Sequence, residues 1–201
     1  MNLTPMQVDA LTEVINIGVG RASGILNDML RAHILLSVPT IRVFAYGELK
    51  NEINGMSDQN SALVQMKFKG PFSGTATLVF PSESASKLVD MVVGELSATS
   101  DMDTIRIGTL TEVGNIVLNG VIGSLANMLK LKVNYSIPAY QDNNLVSMIS
   151  GASSGNNNVI LMAHTNFKVE SQLIEGNIIL IFEVGTFENL LSAIDTYFGL
   201  Q

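Results

Sequence analysis

The sequence TEVINIGVGRASGILNDMLRAHILLSVP, residues 12–39, returns 99 residues later as TEVGNIVLNGVIGSLANMLKLKVNYSIP, residues 111–138. An ungapped comparison of 11–41 with 110–140 gives 12 identities in 31 positions. In each copy a Glu precedes an Asn by three residues, and a Pro follows that Asn by 23. A period near 100 is too long for a solenoid or a propeller, whose repeats span roughly 20–50 residues. The repeat therefore predicts two halves of one pseudo-symmetric domain.

Composition narrows the class of protein. The chain has 201 residues, no Cys and a formal net charge of −7, with 47% apolar and 14% charged residues. These values predict a globular protein of one large or two small domains. The absence of Cys excludes disulfides and thiolate chemistry and fits a reducing compartment, so we expect a cytoplasmic protein. The acidic balance, without a Lys/Arg cluster, argues against binding to nucleic acid.

Two stretches bear on membrane targeting. The N-terminal sequence MNLTPMQVDAL lacks the basic and apolar regions of a signal peptide. The uncharged stretch 113–129 contains Gly and Asn and is short for a bilayer span of about 20 residues. We therefore expect no membrane insertion and interpret 113–129 as part of a buried helix.

The first copy of the repeat is predicted to lie on a helix from Thr4-Pro5, a good N-terminal cap, to about residue 30. At about 100° per residue, Asp9, Glu13 and Asn16 share one side of this helix. The opposite side is apolar and is predicted to face the core; it comprises Leu11, Val14, Ile15, Gly18, Ala22, Ile25 and Met29. Gly20 and Ser23 fall beside Asn16, which predicts an unobstructed outer face.

The second copy is predicted to lie on a helix over about 104–130 with the same wheel. Its core-facing residues would be Leu110, Val113, Val117, Val121, Leu125 and Met128. Glu112, Asn115 and Asn119 point outward, and Gly108 occupies the position that Asp9 has in the first copy.

The remaining sequence predicts strands and two shorter helices. Strands are expected near 41–46, 63–69, 74–80, 133–137, 145–149, 158–164 and 177–184. The shorter helices are expected over about 82–94 and 188–198. The predicted fold is α+β: an internally duplicated, pseudo-twofold single domain over 1–201, with the long helices packed on antiparallel sheet. The repeats cover approximately 4–94 and 104–199, and a linker covers approximately 95–103.

The repeated Glu and Asn favour one kind of chemistry over several others. His33 and His164 have no carboxylate or second His at ligand spacing, and no Walker-type phosphate loop is present. An exposed Asn inside a helix costs a few tenths of a kcal/mol relative to Ala, so keeping it twice requires a reason. Its amide carries both a donor and an acceptor, which suits the positioning of a water molecule. Phosphoryl transfer is a reaction in which such positioning limits the rate.

These residues resemble a known family. The pattern Asp/Ser-x3-Glu-x2-Asn-x22-Pro is typical of the CheC/CheX/FliY phosphatases of chemotaxis, a branch of two-component signalling. Asp9, Glu13, Asn16 and Pro39 match it in full, whereas the second copy has Gly108 in place of the leading acid. Two motifs in a chain of about 200 residues most resemble CheC, and the resemblance extends over nearly the whole chain.

The resemblance implies a hydrolase that removes the aspartyl phosphate of CheY, the response regulator. Asn16 and Asn115 would each orient the attacking water, and Glu13 and Glu112 would hold the active-site Lys of the regulator. Asp9 would be either a binding residue at the rim of the first site or a solvated acid in the first turn of the helix, and the prolines would be structural. The chain would need no cofactor of its own, because the regulator supplies its Mg²⁺.

Two alternatives to the enzyme remain open. The chain could be a non-catalytic binding module that sequesters phosphorylated CheY or the receptor deamidase CheD. It could also be a component of the flagellar switch, although no appended switch domain is visible in the sequence.

Overall fold

The computed structural model describes residues 3–30, 33–45, 61–93, 102–143, 148, 158–169, 172–183 and 185–200. The helices are α1 (Pro5–Leu30), α2 (Ser82–Val93), α3 (Met102–Met128) and α4 (Thr186–Phe198). The strands are β1 (Ile34–Ala45), β2 (Ser61–Lys69), β3 (Gly74–Pro81), β4 (Asn134–Tyr135), β5 (Ala139–Asn143), β6 (Val159–Val169) and β7 (Gln172–Phe182). In this part of the chain, no helix has both the length and the hydropathy needed to cross a membrane.

The strands form one antiparallel sheet in the order β1-β6-β7-β3-β2-β4, and β5 also pairs with β2. Each half contributes a hairpin, β2–β3 from the first and β6–β7 from the second, and the two hairpins meet where β3 pairs with β7. The first strand of each half pairs with the hairpin of the other half: β1 joins β6, and β4 and β5 join β2. The predicted α+β class is confirmed, and this exchange of strands ties both halves into a single sheet.

The main core lies between the helices and one face of the sheet. Apolar residues alternate along the strands with a period of two, so that each strand points one set of side chains at the helices. Phenylalanines dominate the contact, with Phe68 and Phe182 at a centroid distance of 5.8 Å and Phe80 and Phe167 at 5.0 Å. A smaller cluster on the opposite face comprises Leu63, Val79, Met148, Ile160, Met162, Ile179 and Ile181.

The two long helices cross at a pair of glycines. A Cβ atom built on Gly18 would lie 2.6 Å from the carbonyl oxygen of Gly120, and one built on Gly120 would lie 2.7 Å from that of Gly18. Both obstacles are backbone atoms, which cannot move aside as a flexible side chain can. Glycine is therefore required at both positions for α1 and α3 to approach this closely.

The predicted core stripe of α1 is wrong in its second half. Ile25 is 53% exposed and Met29 is 43% exposed, whereas Ser23 is buried. The stripe that the structure buries runs through Leu11, Ile15, Val19, Ala22 and Leu26. The buried residues of this stripe are on average slightly more than 3.6 residues apart, so the stripe turns gradually around the helix. Ile25 and Met29 therefore lie outside it. On α3, Met128 is half-buried, and the predicted stripe otherwise lies in the core.

The strands differ from the prediction at their ends. β1 begins at Ile34, well before the predicted residue 41, and passes Pro39 at a register shift between Ser37 and Thr40. β5 was not predicted, β4 has only two residues, and the β6–β7 hairpin extends further than expected. The strand predicted at 145–149 lies outside the described residues except for Met148, which is helical. The predicted linker, 95–103, also lies mostly outside them.

Candidate functional site

The acidic residues of both motifs lie on open helix surface. Glu13 and Asp9 are exposed on α1, and Glu112 is exposed on α3. Gly108 is also exposed, and a Cβ atom there would meet nothing within 4 Å. Residues three apart on a helix are neighbours, so each Glu lies next to the Asn of its own motif. The two asparagines differ from the acids because both are half-buried.

Asn16 is held by the backbone of β1. Its Nδ2 donates to the carbonyl oxygens of Thr12 and Val38, both at 3.1 Å, and its Oδ1 accepts from the amide of Val38 at 2.9 Å. Val38 immediately precedes Pro39, at the register shift in β1. The pair of bonds between Asn16 and Val38 is called the Asn16 latch below. Because both N–H donors of the amide are used, one acceptor lone pair is all that the Asn16 amide has left for another molecule.

Two more polar side chains of α1 fasten the start of β1. Ser23 Oγ donates to the carbonyl oxygen of Ile34, and Asn27 Oδ1 accepts from the amide of Ile34 at 2.6 Å. Together with Asn16 they form a polar ladder: the three side chains share the side of α1 over which β1 runs. The prediction that Ser23 borders an unobstructed outer face is therefore wrong, because β1 covers this part of the helix.

Asn115 has a different environment. Its Oδ1 accepts a hydrogen bond from Asn119 Nδ2, one turn further along α3, at 2.6 Å. Within the part of the chain that the structure describes, Asn115 Nδ2 has no partner. Both of its N–H donors and one lone pair of Oδ1 are therefore available to another molecule, next to the exposed Glu112.

The chain after α3 takes a path that leaves Asn115 uncovered. Lys130 adopts a left-handed backbone conformation (φ 54°) soon after α3 ends. Ser136, the counterpart of Ser37, then joins β2 through a backbone bond to Lys67 at 2.9 Å. Ile137, the counterpart of Val38, is 90% exposed. Ser136 and Ile137 thus lie beside β2, and among the described residues neither makes a hydrogen bond to α3.

A polar cluster flanks the second motif. Asp103, Arg106 and Ile107 of α3 border a hollow of about 340 Å³ together with Tyr140 and Asp142 of β5. The Tyr140 hydroxyl donates to Asp142 at 2.7 Å. Partial burial raises the pKa of Tyr140 above its ordinary value, and the bond to Asp142 raises it further. This polar cluster was not predicted from the sequence, because Tyr140 and Asp142 belong to β5, a strand that was not predicted.

The described residues offer no metal site. Among the described residues, no group of three or more His, Cys, Asp or Glu side chains is placed to share a metal ion. His164 Nδ1 lies 3.2 Å from Asn177 Oδ1, its cross-strand neighbour, which is an ordinary polar pair.

A family model described as chemotaxis phosphatase CheX matches residues 62–162, half of the chain. The chain belongs to the CheC/CheX/FliY family. Relatives in Bacillus subtilis (strain 168) include CheY-P phosphatase CheC, 27% identical over 139 residues that cover 66% of this chain and 64% of CheC. They also include flagellar motor switch phosphatase FliY, 19% identical over 195 residues that cover 96% of this chain and 50% of FliY. The chain thus spans between half and two thirds of these relatives.

Solved structures of the family share the fold. FliY of Thermotoga maritima superposes with a TM-score of 0.76 at 20% identity, covering 100% of this chain and 99% of that one. The CheX–CheY–BeF3–Mg²⁺ complex of Borrelia burgdorferi includes a chain with a TM-score of 0.54 at 18% identity, covering 86% of this chain and 99% of that one. The CheC/CheX/FliY resemblance predicted from the doubled motif is confirmed at the level of family and fold.

Proposed function

We propose that this protein hydrolyses the aspartyl phosphate of a phosphorylated CheY-type response regulator. Membership in a family of chemotaxis phosphatases supports the type of reaction. A relative named CheY-P phosphatase CheC supports the substrate, and a structurally similar CheX forms a complex with CheY. The observation that carries the proposal is the Asn115 amide, which lies on α3 beside the exposed Glu112 and whose N–H donors have no partner among the described residues.

The second motif supplies the groups that positioning a water requires. Asn115 would hold the water in line with the bond between phosphorus and the aspartate oxygen, while Glu112 would pair with the regulator's active-site Lys. Attack by the water oxygen breaks that bond and releases inorganic phosphate and a free carboxylate. The regulator provides the phosphorylated Asp and its Mg²⁺, so the chain contributes positioning and no metal. Positioning of this kind accounts for a large part of phosphoryl-transfer catalysis.

The first motif would act in the same way only after Asn16 leaves Val38. Glu13 is exposed and free to pair with a Lys, and Asp9 would be a contact at the rim. Opening the Asn16 latch breaks two hydrogen bonds, each worth about 0.5–1.5 kcal/mol net. A cost of about 1–3 kcal/mol lowers the population of the open form by about 5- to 150-fold. The first motif is therefore proposed as the weaker site.

The test is release of phosphate from a phosphorylated CheY-type regulator of the same organism, with this protein in substoichiometric amount. We expect multiple turnovers, and a loss of about 10²-fold or more in the double variant Asn16→Ala/Asn115→Ala. Asn127→Ala is the matched control, because Asn127 is exposed on α3 and its side chain makes no hydrogen bond among the described residues. A double variant as fast as the wild type would overturn the proposal.

The same experiment separates the enzyme from a binding module. A protein that only sequesters phosphorylated CheY would bind one equivalent and leave the rate of phosphate release unchanged. Binding to CheD stays a prediction of the family resemblance. Size-exclusion chromatography of a mixture of the two purified chains tests it directly.

A further inference from the structure

The Asn115–Asn119 pair defines which end of the Asn115 amide faces outward. Asn119 Nδ2 donates to Asn115 Oδ1 at 2.6 Å, and both residues are half-buried. An Asn amide turned by 180° occupies the same space with its donor and acceptor exchanged. A donor from Asn119 attracts the oxygen of Asn115 and so leaves Nδ2 directed away. In the arrangement that the structure shows, Asn119 acts as the donor and the Nδ2 of Asn115 points away from the pair.

We infer that Asn119 is a positioning residue, which holds the Asn115 amide in the orientation that water positioning uses. This inference rests on the proposed function of Asn115. Asn119 itself would not touch the water or the phosphoryl group. Asn119 would fix the orientation of the Asn115 amide before the regulator docks, so that the amide need not turn on binding.

The first repeat provides an independent observation. The counterpart of Asn119 is Gly20, which is exposed and has no atom within 4 Å of the place where its Cβ would lie. No side chain is available there to orient Asn16, and the backbone of Val38 holds that amide. Each Asn therefore has a partner that fixes its orientation. The difference is that Asn119 engages one lone pair, whereas Val38 and Thr12 use both donors.

An ordinary role for Asn119 as a solvated helix residue predicts a different outcome. Asn127 represents that role on the same helix, since it is exposed and its side chain has no hydrogen-bond partner among the described residues. Replacement of a solvated Asn by Asp changes one surface charge and leaves the Asn115 amide as it was. Replacement of a positioning Asn by Asp reverses donor and acceptor in the hydrogen bond to Asn115, because a carboxylate accepts and does not donate.

Two variants of Asn119 are expected to differ in a graded way. In Asn119→Ala both orientations of the Asn115 amide become populated, so kcat should fall by about 2- to 5-fold with KM unchanged. In Asn119→Asp the carboxylate attracts Nδ2 and turns the amide round, so kcat at neutral pH should fall by about tenfold or more. The ordinary pKa of an aspartyl carboxyl is about 3.9. Partial burial at this position acts to raise it, and a hydrogen bond from Asn115 Nδ2 to the carboxylate acts to lower it. Below its pKa the protonated carboxyl donates to Oδ1 again, so activity relative to wild type should recover as pH falls.

The experiment measures kcat and KM for wild type, Asn119→Ala, Asn119→Asp and the control Asn127→Asp from about pH 4.5 to 7.5. Dividing each profile by that of the wild type removes the pH dependence of the regulator. The side-chain NH₂ resonances of Asn115, assigned by their loss in Asn115→Ala, are followed in parallel by NMR. Thermal unfolding of each variant shows whether it is folded.

The outcomes distinguish the two proposals. Acid recovery of the Asn119→Asp ratio, with titration of the Asn115 NH₂ signals, supports the positioning role. A flat ratio with unmoved NH₂ signals overturns it, and so does a loss of activity that tracks a loss of folded protein. If the wild type releases no phosphate but the NH₂ signals titrate in Asn119→Asp, the phosphatase proposal fails and the orientation of the amide by Asn119 stands.

Discussion

The first and second motifs keep the same Glu, Asn and Pro at a distance of 99 residues, yet their asparagines are bonded in opposite ways. Asn16 donates to two carbonyl oxygens and accepts from Val38. Asn115 accepts from Asn119, and its donors have no partner among the described residues. A shared motif therefore does not imply a shared state of the site. In this chain the Asn of one copy joins a helix to a strand, and the Asn of the other copy bonds to a residue of its own helix.

The sequence around each motif explains this difference. Ser23 and Asn27, which complete the polar ladder to β1, are replaced in the second repeat by Ile122 and Ala126, both buried. The second repeat therefore has no polar side chain at the two positions that bind the start of β1 in the first repeat. The strand that follows α3 pairs with β2 instead, and among the described residues it makes no hydrogen bond to Asn115.

The largest expected effect compares the two asparagines directly. Asn115→Ala should lower phosphate release by about 5- to 150-fold, because it removes the second-motif amide and leaves only the rarely open first site. Asn16→Ala should lower it by less than about twofold, because the Asn16 latch already keeps that site closed in most molecules. Initial rates of phosphate release with each single variant measure both numbers. Equal losses in the two variants would contradict the proposed inequality of the sites.

The next prediction concerns stability, for which the larger loss is expected in the first motif. Asn16→Ala should reduce the free energy of unfolding by about 2–3 kcal/mol, because it leaves the amide and carbonyl of the buried Val38 without partners. Asn115→Ala should cost less than about 1 kcal/mol, since it ends a single bond to Asn119. Urea denaturation gives both values. A larger loss in Asn115→Ala than in Asn16→Ala would remove the structural role assigned to the Asn16 latch.

A smaller effect tests whether the polar ladder keeps the first site closed. Asn27→Ala should destabilise the protein by about 1–2 kcal/mol, because the amide of the buried Ile34 loses its acceptor. Made together with Asn115→Ala, it should also raise the residual phosphate release a few-fold, because a loosened β1 frees Asn16 more often. Asp28→Ala is the matched control, as the neighbouring Asp28 is exposed. Destabilisation without any gain in residual release would show that the start of β1 does not control the Asn16 latch.

The sequence predicted the family and the class of fold because both depend on features that a repeat preserves. Apolar spacing located both long helices, and the doubled Glu and Asn led to the family. The exposed positions of Glu13 and Glu112 also follow from the helical wheel alone. These features are local, since each depends on residues within a few turns of one helix.

The state of each asparagine could not be predicted in this way, because it depends on contacts distant along the chain. Asn16 is held by a residue 22 positions later, and the path of β1 over α1 is set by Ser23 and Asn27. A helical wheel treats every polar residue as solvent-facing, so it placed Ser23 outside. The substitution of Ile122 and Ala126 for these two residues was visible in the repeat and was the available signal of a different strand path.

The smallest effect concerns the position where the motifs themselves differ, Asp9 in the first and Gly108 in the second. A Cβ atom at Gly108 would meet no atom of another element within 4 Å among the described residues, so Gly108→Asp should fold normally. If the leading acid assists docking, Gly108→Asp should lower KM about 2- to 5-fold at low ionic strength and lose this advantage in high salt, because exposed charges act mainly on encounter and are screened.

Asp9→Asn should change KM by less than about twofold, since the acid that it removes belongs to the closed site. Gly108→Asn controls for the loss of glycine without adding charge. Together the two results would show that the leading acid lowers KM in the second motif and has little effect on KM in the first motif, where Val38 holds the asparagine. A gain in Gly108→Asn equal to that in Gly108→Asp would instead assign the effect to helix propensity, which favours either residue over glycine by a few tenths of a kcal/mol.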